Sequence, residues 1–298
     1  MIERIIKMFF FKFITLYGLA FSVHAQNYAF EGALMLNGQK TKPISYRIDF
    51  TLSNGVISGH SITDLFGPHE TKNEIRGTYS PANGLINFRE DAIVYTKSAL
   101  QREIFCFVRF SGKVQTDSGI ARVKGEFTGL YKNQQPCARG SLMMLGTASV
   151  RQLMTEFTNK INETEKGINH KHAEASLVQL YDSLQSRRLN AGEKLSVFVQ
   201  TDSLILTFRD EFLEDGDVIN FFHNNKPLLT AYRVSSIPRR MSIALHEGEN
   251  VFTLEAVHEG TRPPNTAVVA ITGASQVEFQ SNLKKGQKAT VQIVRSQP

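Results

Sequence analysis

The chain contains no tryptophan and only two cysteines among its 298 residues. Two cysteines exclude a disulfide-dense scaffold and a four-cysteine zinc site. There is no Gly-x-x-x-x-Gly-Lys-Ser/Thr loop, no Gly-x-Gly-x-x-Gly after a strand, no His-Glu-x-x-His and no Cys-x-x-Cys. The commonest phosphate-binding, dinucleotide-binding, zinc-protease and dithiol signatures are therefore missing. Collagenous and low-complexity stretches are missing too, with glycine (21) and proline (9) at ordinary levels. Hydrophobic residues make up 41% and charged residues 21%, too apolar for disorder and too polar for a multi-span membrane protein.

Residues 1–25 read as an address. Arg4 and Lys7 give a positive start, an apolar stretch runs over 13–23, and Val23-His24-Ala25 fits the small-x-small rule for cleavage before Gln26. The stretch is short for a membrane span and no charged cluster follows it. No cysteine lies near the cut, which argues against a lipoprotein. A signal peptide and an exported protein, periplasmic or extracellular, are expected. Cleavage removes three cations and one anion, lowering the formal net charge from +6 to +4. The remaining Lys and Arg are scattered, so nucleic acid is not an expected partner. In an oxidising compartment Cys106 and Cys137 are expected to form a disulfide. Closing a loop of that length stabilises by roughly 3–4 kcal/mol.

Three regions follow the address. Residues 26–147 read as short strands joined by turns, with Asn54-Gly55 and Pro81-Ala82-Asn83-Gly84 as hairpin signals. Strands are expected at 28–36, 44–52, 56–62, 74–79, 85–88, 92–98, 103–111, 120–131 and 138–145. Consecutive hairpins favour an antiparallel up-and-down β-barrel, loosely like the lipocalin and avidin (calycin) group, over a sandwich. Residues 148–191 carry two helical stripes, Val150-Met154-Phe157-Ile161 and Ala173-Leu177-Leu180-Leu184. They predict a helical connector rather than a dimerising coiled coil. Residues 192–298 return to strands at 195–200, 203–209, 217–222, 227–233, 241–246, 250–257, 266–271, 276–280 and 288–294, the size of an immunoglobulin-like β-sandwich. The fold class is mainly β.

Four sets of residues invite chemistry. Asp210, Glu211, Glu214, Asp215 and Asp217 form the densest acidic cluster, and Asn265 adds an oxygen if two loops meet. Oxygen donors of this kind suit calcium, although the spacing is not that of an EF-hand, and a solvated acidic turn is the plainer account. Ser61, Thr63, Asp64 and His69 form a polar stretch after a strand. Without a nucleophile elbow they read as the lip of a barrel pocket, not as a triad. His170 and His172 stand two apart, a poor chelating pair on a helix. Asp182-Ser183 and Asp202-Ser203 have the form of a short O-glycosylation acceptor, a triplet that also arises by chance.

The C-terminal part resembles a recurrent, uncharacterised type of exported bacterial β-sandwich. The likeness rests on Glu214-Asp215-Gly216-Asp217-Val218, Gly248-Glu249-Asn250 and Glu259-Gly260-Thr261-Arg262-Pro263-Pro264-Asn265-Thr266-Ala267. The resemblance implies a non-enzymatic accessory domain and carries no catalytic residue. The leading expectation is a non-catalytic envelope protein that binds a glycan, small molecule or protein in its barrel, without spanning the membrane. A purely structural or interaction module with a filled barrel stands second, and a polysaccharide hydrolase last. Large inward side chains would favour the second, a hollow barrel the first, and two facing carboxylates in a cleft the third.

Overall fold

Eight strands taken in chain order close on themselves in the computed structural model, which describes residues 25–38, 42–99, 101–164, 188–210, 214–273 and 276–295. They are β1 (Gln26–Leu36), β2 (Ile44–Ser53), β3 (Val56–Thr63), β4 (Thr71–Ser80), β5 (Leu85–Thr96), β6 (Phe107–Asp117), β7 (Ile120–Leu130) and β8 (Pro136–Gly146). Each pairs antiparallel with its sequence neighbour, and β8 returns to β1. The expected closed up-and-down barrel is present. Closure leaves no strand edge unpaired over the paired length.

The hairpins set the register. Asn54 (φ 50°) and Gly55 (φ 79°) both adopt the left-handed conformation. A two-residue turn of that hand matches strand twist and pairs Ser53 with Val56. All later β2–β3 pairs follow, so Tyr46, Ile48, Phe50 and Leu52 face inward with Ile57 and Ser61.

Two expectations change here. Residues 85–88 and 92–96 belong to one strand, β5, because bulges opposite β4 absorb Asp91 and Val94 instead of ending the strand; residues 97–98 lie beyond it. Cys106 precedes β6 rather than lying within a strand; a short 3-10 turn, Arg102–Ile104, occupies the start of the expected strand.

The far end of β5 leaves the barrel. Beyond Arg89 it parts from β6, and Tyr95 and Thr96 pair with β10 (Lys194–Val199) of a second, two-sheet unit. One sheet of that unit continues through β18 (Lys288–Arg295), β15 (Glu249–Glu259), β12 (Asp217–His223) and β13 (Lys226–Arg233). The other runs β14 (Arg239–Ala244), β11 (Ser203–Arg209), β16 (Val268–Thr272), β17 (Gln276–Asn282) and β9 (Arg188–Asn190). β9 and β10 join β17 and β18 as parallel partners. Side chains of both sheets share one core, with Phe208 edge-on to Phe221 at 4.9 Å. Val94 and Tyr95 of β5 are buried in it.

Helix α1 (Thr147–Thr164) starts directly after β8 and carries the first expected stripe. Ser149 Oγ accepts from Ala121 N–H at 3.1 Å and fixes its first turn to the barrel. The second stripe, His170, His172, Asp182 and Ser183 lie outside the described residues. So does Glu211.

Candidate functional site

The lumen of the barrel is filled by its own side chains. Phe30, Leu34, Ile48, Phe50, Ile57, Ile75, Ile86, Phe88, Phe110, Phe127, Leu142 and Met144 belong to one buried cluster. Tyr28 stacks on Phe50 with centroids 5.2 Å apart, and Phe88 meets Phe110 at 5.0 Å. An eight-stranded barrel has an interior that side chains of this size can fill.

A polar cluster centred on Glu90 sits inside that packing. Glu90 is 6% exposed and follows Ile86 and Phe88 on the inward face of β5. Its Oε1 accepts from the Tyr46 hydroxyl at 2.8 Å and from the Ser61 hydroxyl. Its Oε2 accepts Val108 N–H at 2.7 Å, replacing a ladder partner where β5 and β6 separate. Burial raises the Glu90 pKa, against opposing hydrogen bonds from Ser61, Val108, Tyr46 and Asn73. Tyr46 is raised well above its ordinary value, first by burial and then by the Glu90 charge.

The residues expected to form a pocket lip are therefore divided. Ser61 points into the lumen, fully buried, because it shares the inward parity of Ile57. Thr63 ends β3 opposite Thr71. Asp64 (φ 55°) folds the following turn, its Oδ2 accepting His69 N–H at 3.0 Å. His69 Nδ1 lies 3.3 Å from Ser98 Oγ. The structure brings Asp64 and His69 together as a capped turn at the end of β3 and keeps Ser61 apart, inside the lumen.

A wide concavity lies on the outside of the barrel. A groove of about 970 Å³ runs over the outer faces of β1–β4, walled by the first residues of α1 and by Gln276 of the second unit. Its floor is set by register. Asp49, His60 and Glu74 are direct neighbours across β2, β3 and β4, and Thr51, Ser58 and Arg76 form the next row. Gly59 lets β2 and β3 approach, since a Cβ there would lie 2.2 Å from the Asp49 carbonyl oxygen. Arg47 holds Asp49 with two hydrogen bonds, 2.8 and 2.9 Å. Burial pushes His60 down to about 4, helped by Lys72 and opposed by Asp49. His60 is thus neutral at ordinary pH and offers one donor and one acceptor to the groove. Sequence reasoning passed over this row. A second cavity, about 430 Å³, opens where β5 and β6 part, with Glu90 at its base and Phe107 and Tyr131 in its wall.

The acidic residues of the second unit separate into roles. Glu214 is exposed and accepts from Ser236 N–H and Oγ–H. Asp215 Oδ2 accepts Arg262 N–H at 3.0 Å, and Asp217 Oδ2 accepts Thr266 N–H at 2.7 Å. Asn265 is fully buried, and its amide spans Val218 O and His258 O while its oxygen accepts from Ser281 Oγ. Its hydrogen-bonding capacity is spent on the fold, so it is not a metal ligand. Burial pushes Asp217 up to about 6; Thr266 N–H opposes this, and the charges of Asp215 and Asp210 add to it. Among the described residues, no three His, Cys, Asp or Glu side chains stand grouped as a ready metal site.

Cys106 and Cys137 form the expected disulfide, 31 residues apart. Gly129 makes room for it, since a Cβ there would sit 2.3 Å from Cys106 Sγ. Asp202 and Ser203 are exposed at the start of β11. No described helix is long and apolar enough to cross a membrane. Comparison with protein-family models, with characterised proteins and with solved structures gave no match.

Proposed function

We propose that this chain is a non-catalytic, exported binding and scaffolding protein of the bacterial envelope, and that its recognition surface is the outer groove rather than the lumen. The observation that carries the reading is the full interior beside a large external concavity at a junction of two units. Binding sites favour such junctions. The groove presents neutral His60, Ser58, Thr51, Asn27, Arg76 and Glu74, donors and acceptors set among a roughly equal share of apolar surface. That chemistry suits an oligosaccharide better than a lipid. In this reading the C-terminal unit is an immunoglobulin-like sandwich that braces one wall. The hydrolase reading has less support: Asp49 and Glu74 flank His60, but Asp49 is engaged by Arg47.

The test is native mass spectrometry of the mature protein taken from its own envelope. A retained polar adduct, lost in Arg76→Ala and Thr51→Ala variants that keep the wild-type melting temperature, is the expected result. An adduct indifferent to both substitutions would refute the groove. The filled lumen also supports a second reading, a purely structural or protein-interaction module, for which only the bare polypeptide mass is expected.

A further inference from the structure

We propose that the loop end of the C-terminal unit binds a hard divalent cation, calcium by its chemistry, through Oδ1 of Asp215 and Oδ1 of Asp217. The two carboxylates share one pattern. Each has an Oδ2 satisfied by a backbone N–H of the loop after β15, Arg262 for Asp215 and Thr266 for Asp217. Each has an Oδ1 that is buried and meets no donor. Asp217 is 0% exposed. A buried carboxylate oxygen without a donor or cation is costly.

The local charge increases the demand. The charges of Asp215 and of Asp210, which is 5% exposed, both act on Asp217. No ion pair reaches Asp215 or Asp217 among the described residues. Arg233 lies against Gly216 without pairing to either. Gly216, at φ +99°, forms the turn that sets both acids toward the loop of residues 259–266.

The donor set selects the cation. His258 is not available, since its Nδ1 accepts Gly260 N–H and its carbonyl accepts the Asn265 amide. With oxygen donors alone the preference is for calcium or magnesium over zinc or copper. Two carboxylates leave the other positions to water and main-chain carbonyls. This lowers affinity toward the 10⁻⁴–10⁻³ M of extracellular calcium modules, roughly, and tolerates calcium's irregular geometry better than magnesium's octahedron.

The experiment is calorimetric titration and thermal melting of the full mature chain with calcium chloride, magnesium chloride or chelator. Calcium at about 10 mM is expected to raise the melting temperature by roughly 3–10 °C over chelator, with a smaller effect of magnesium. Asp215→Asn and Asp217→Asn each abolish the shift, while Glu214→Gln, at an exposed residue held by Ser236, retains it. Equal melting in calcium and chelator with no heat of binding overturns the proposal. So does a calcium shift that survives both Asn variants. If Asp217→Asn does not fold, Asp215→Asn and the wild-type comparison decide.

Discussion

Replacing Glu90 by alanine is expected to destabilise the barrel by about 3 kcal/mol. The carboxylate is the common acceptor for Tyr46, Ser61 and Val108 N–H, all buried. Alanine leaves three donors without it. Tyr46 and Ser61 can pair with each other, so about two remain unsatisfied, each costing about 1–3 kcal/mol. Relief from burying a charge offsets part of that sum. Three kcal/mol corresponds to a melting temperature lower by roughly 6–12 °C. Glu90→Gln is the informative partner. Its oxygen can serve Val108 N–H, and its amide can donate to the two hydroxyl oxygens, so it is expected to lie within about 1 kcal/mol of wild type.

The two variants also differ in pH dependence. The folded pKa of Glu90 is raised by burial above its unfolded value. Its contribution is therefore fully present below the unfolded pKa and is lost as pH rises through the folded pKa. Wild type gains on Glu90→Gln in acid and loses ground toward neutrality, with a slope of at most about 1.4 kcal/mol per pH unit between the two pKa values. Denaturant unfolding of both proteins across pH 4 to 8 reads this directly. A Glu90→Ala cost below about 1 kcal/mol, or parallel pH curves for wild type and Glu90→Gln, would refute the reasoning.

Reduction, or Cys106→Ser with Cys137→Ser, is expected to remove about 3–4 kcal/mol through the released loop; melting with and without reductant measures it. Phe88→Ala removes a ring that touches both Tyr46 and Phe110, and a loss of about 3–5 kcal/mol in urea unfolding is expected. A loss under 1 kcal/mol would mean the lumen is not tightly filled. Lys72→Met takes away a charge that lowers His60, so the His60 titration midpoint, followed by NMR, should move up from about 4.

Much of the barrel was legible because its local signals agree. The Asn54-Gly55 turn fixes Ser53 opposite Val56 and, by counting back, Asp49 opposite His60. The third member of that row, Glu74, depends on the longer loop before β4, so the groove could not be assembled from the hairpin alone. Parity also held information that was missed. Ser61 shares a face with Ile57, and Glu90 with Ile86 and Phe88, which places both inside. The acidic pair Glu90-Asp91 looked like a break because a buried charge is rarely expected in a lumen; Tyr46, Ser61 and Val108 supply the donors that permit it. The β5–β10 pairing and β9 were illegible for a different reason. They join segments about a hundred residues apart, and neither the two-residue antiparallel β5–β10 contact nor the short parallel β9–β17 pairing carries a local turn signal.

The most direct test of the account is an NMR titration of the isotope-labelled mature protein with soluble envelope glycans, followed at backbone amides. A solid barrel that recognises its ligand on the outer wall predicts shifts confined to residues around Asn27, Thr51, His60, Arg76 and Gln276. Shifts centred on the lumen at Tyr46, Phe88 and Phe110, with the groove unmoved, would contradict it.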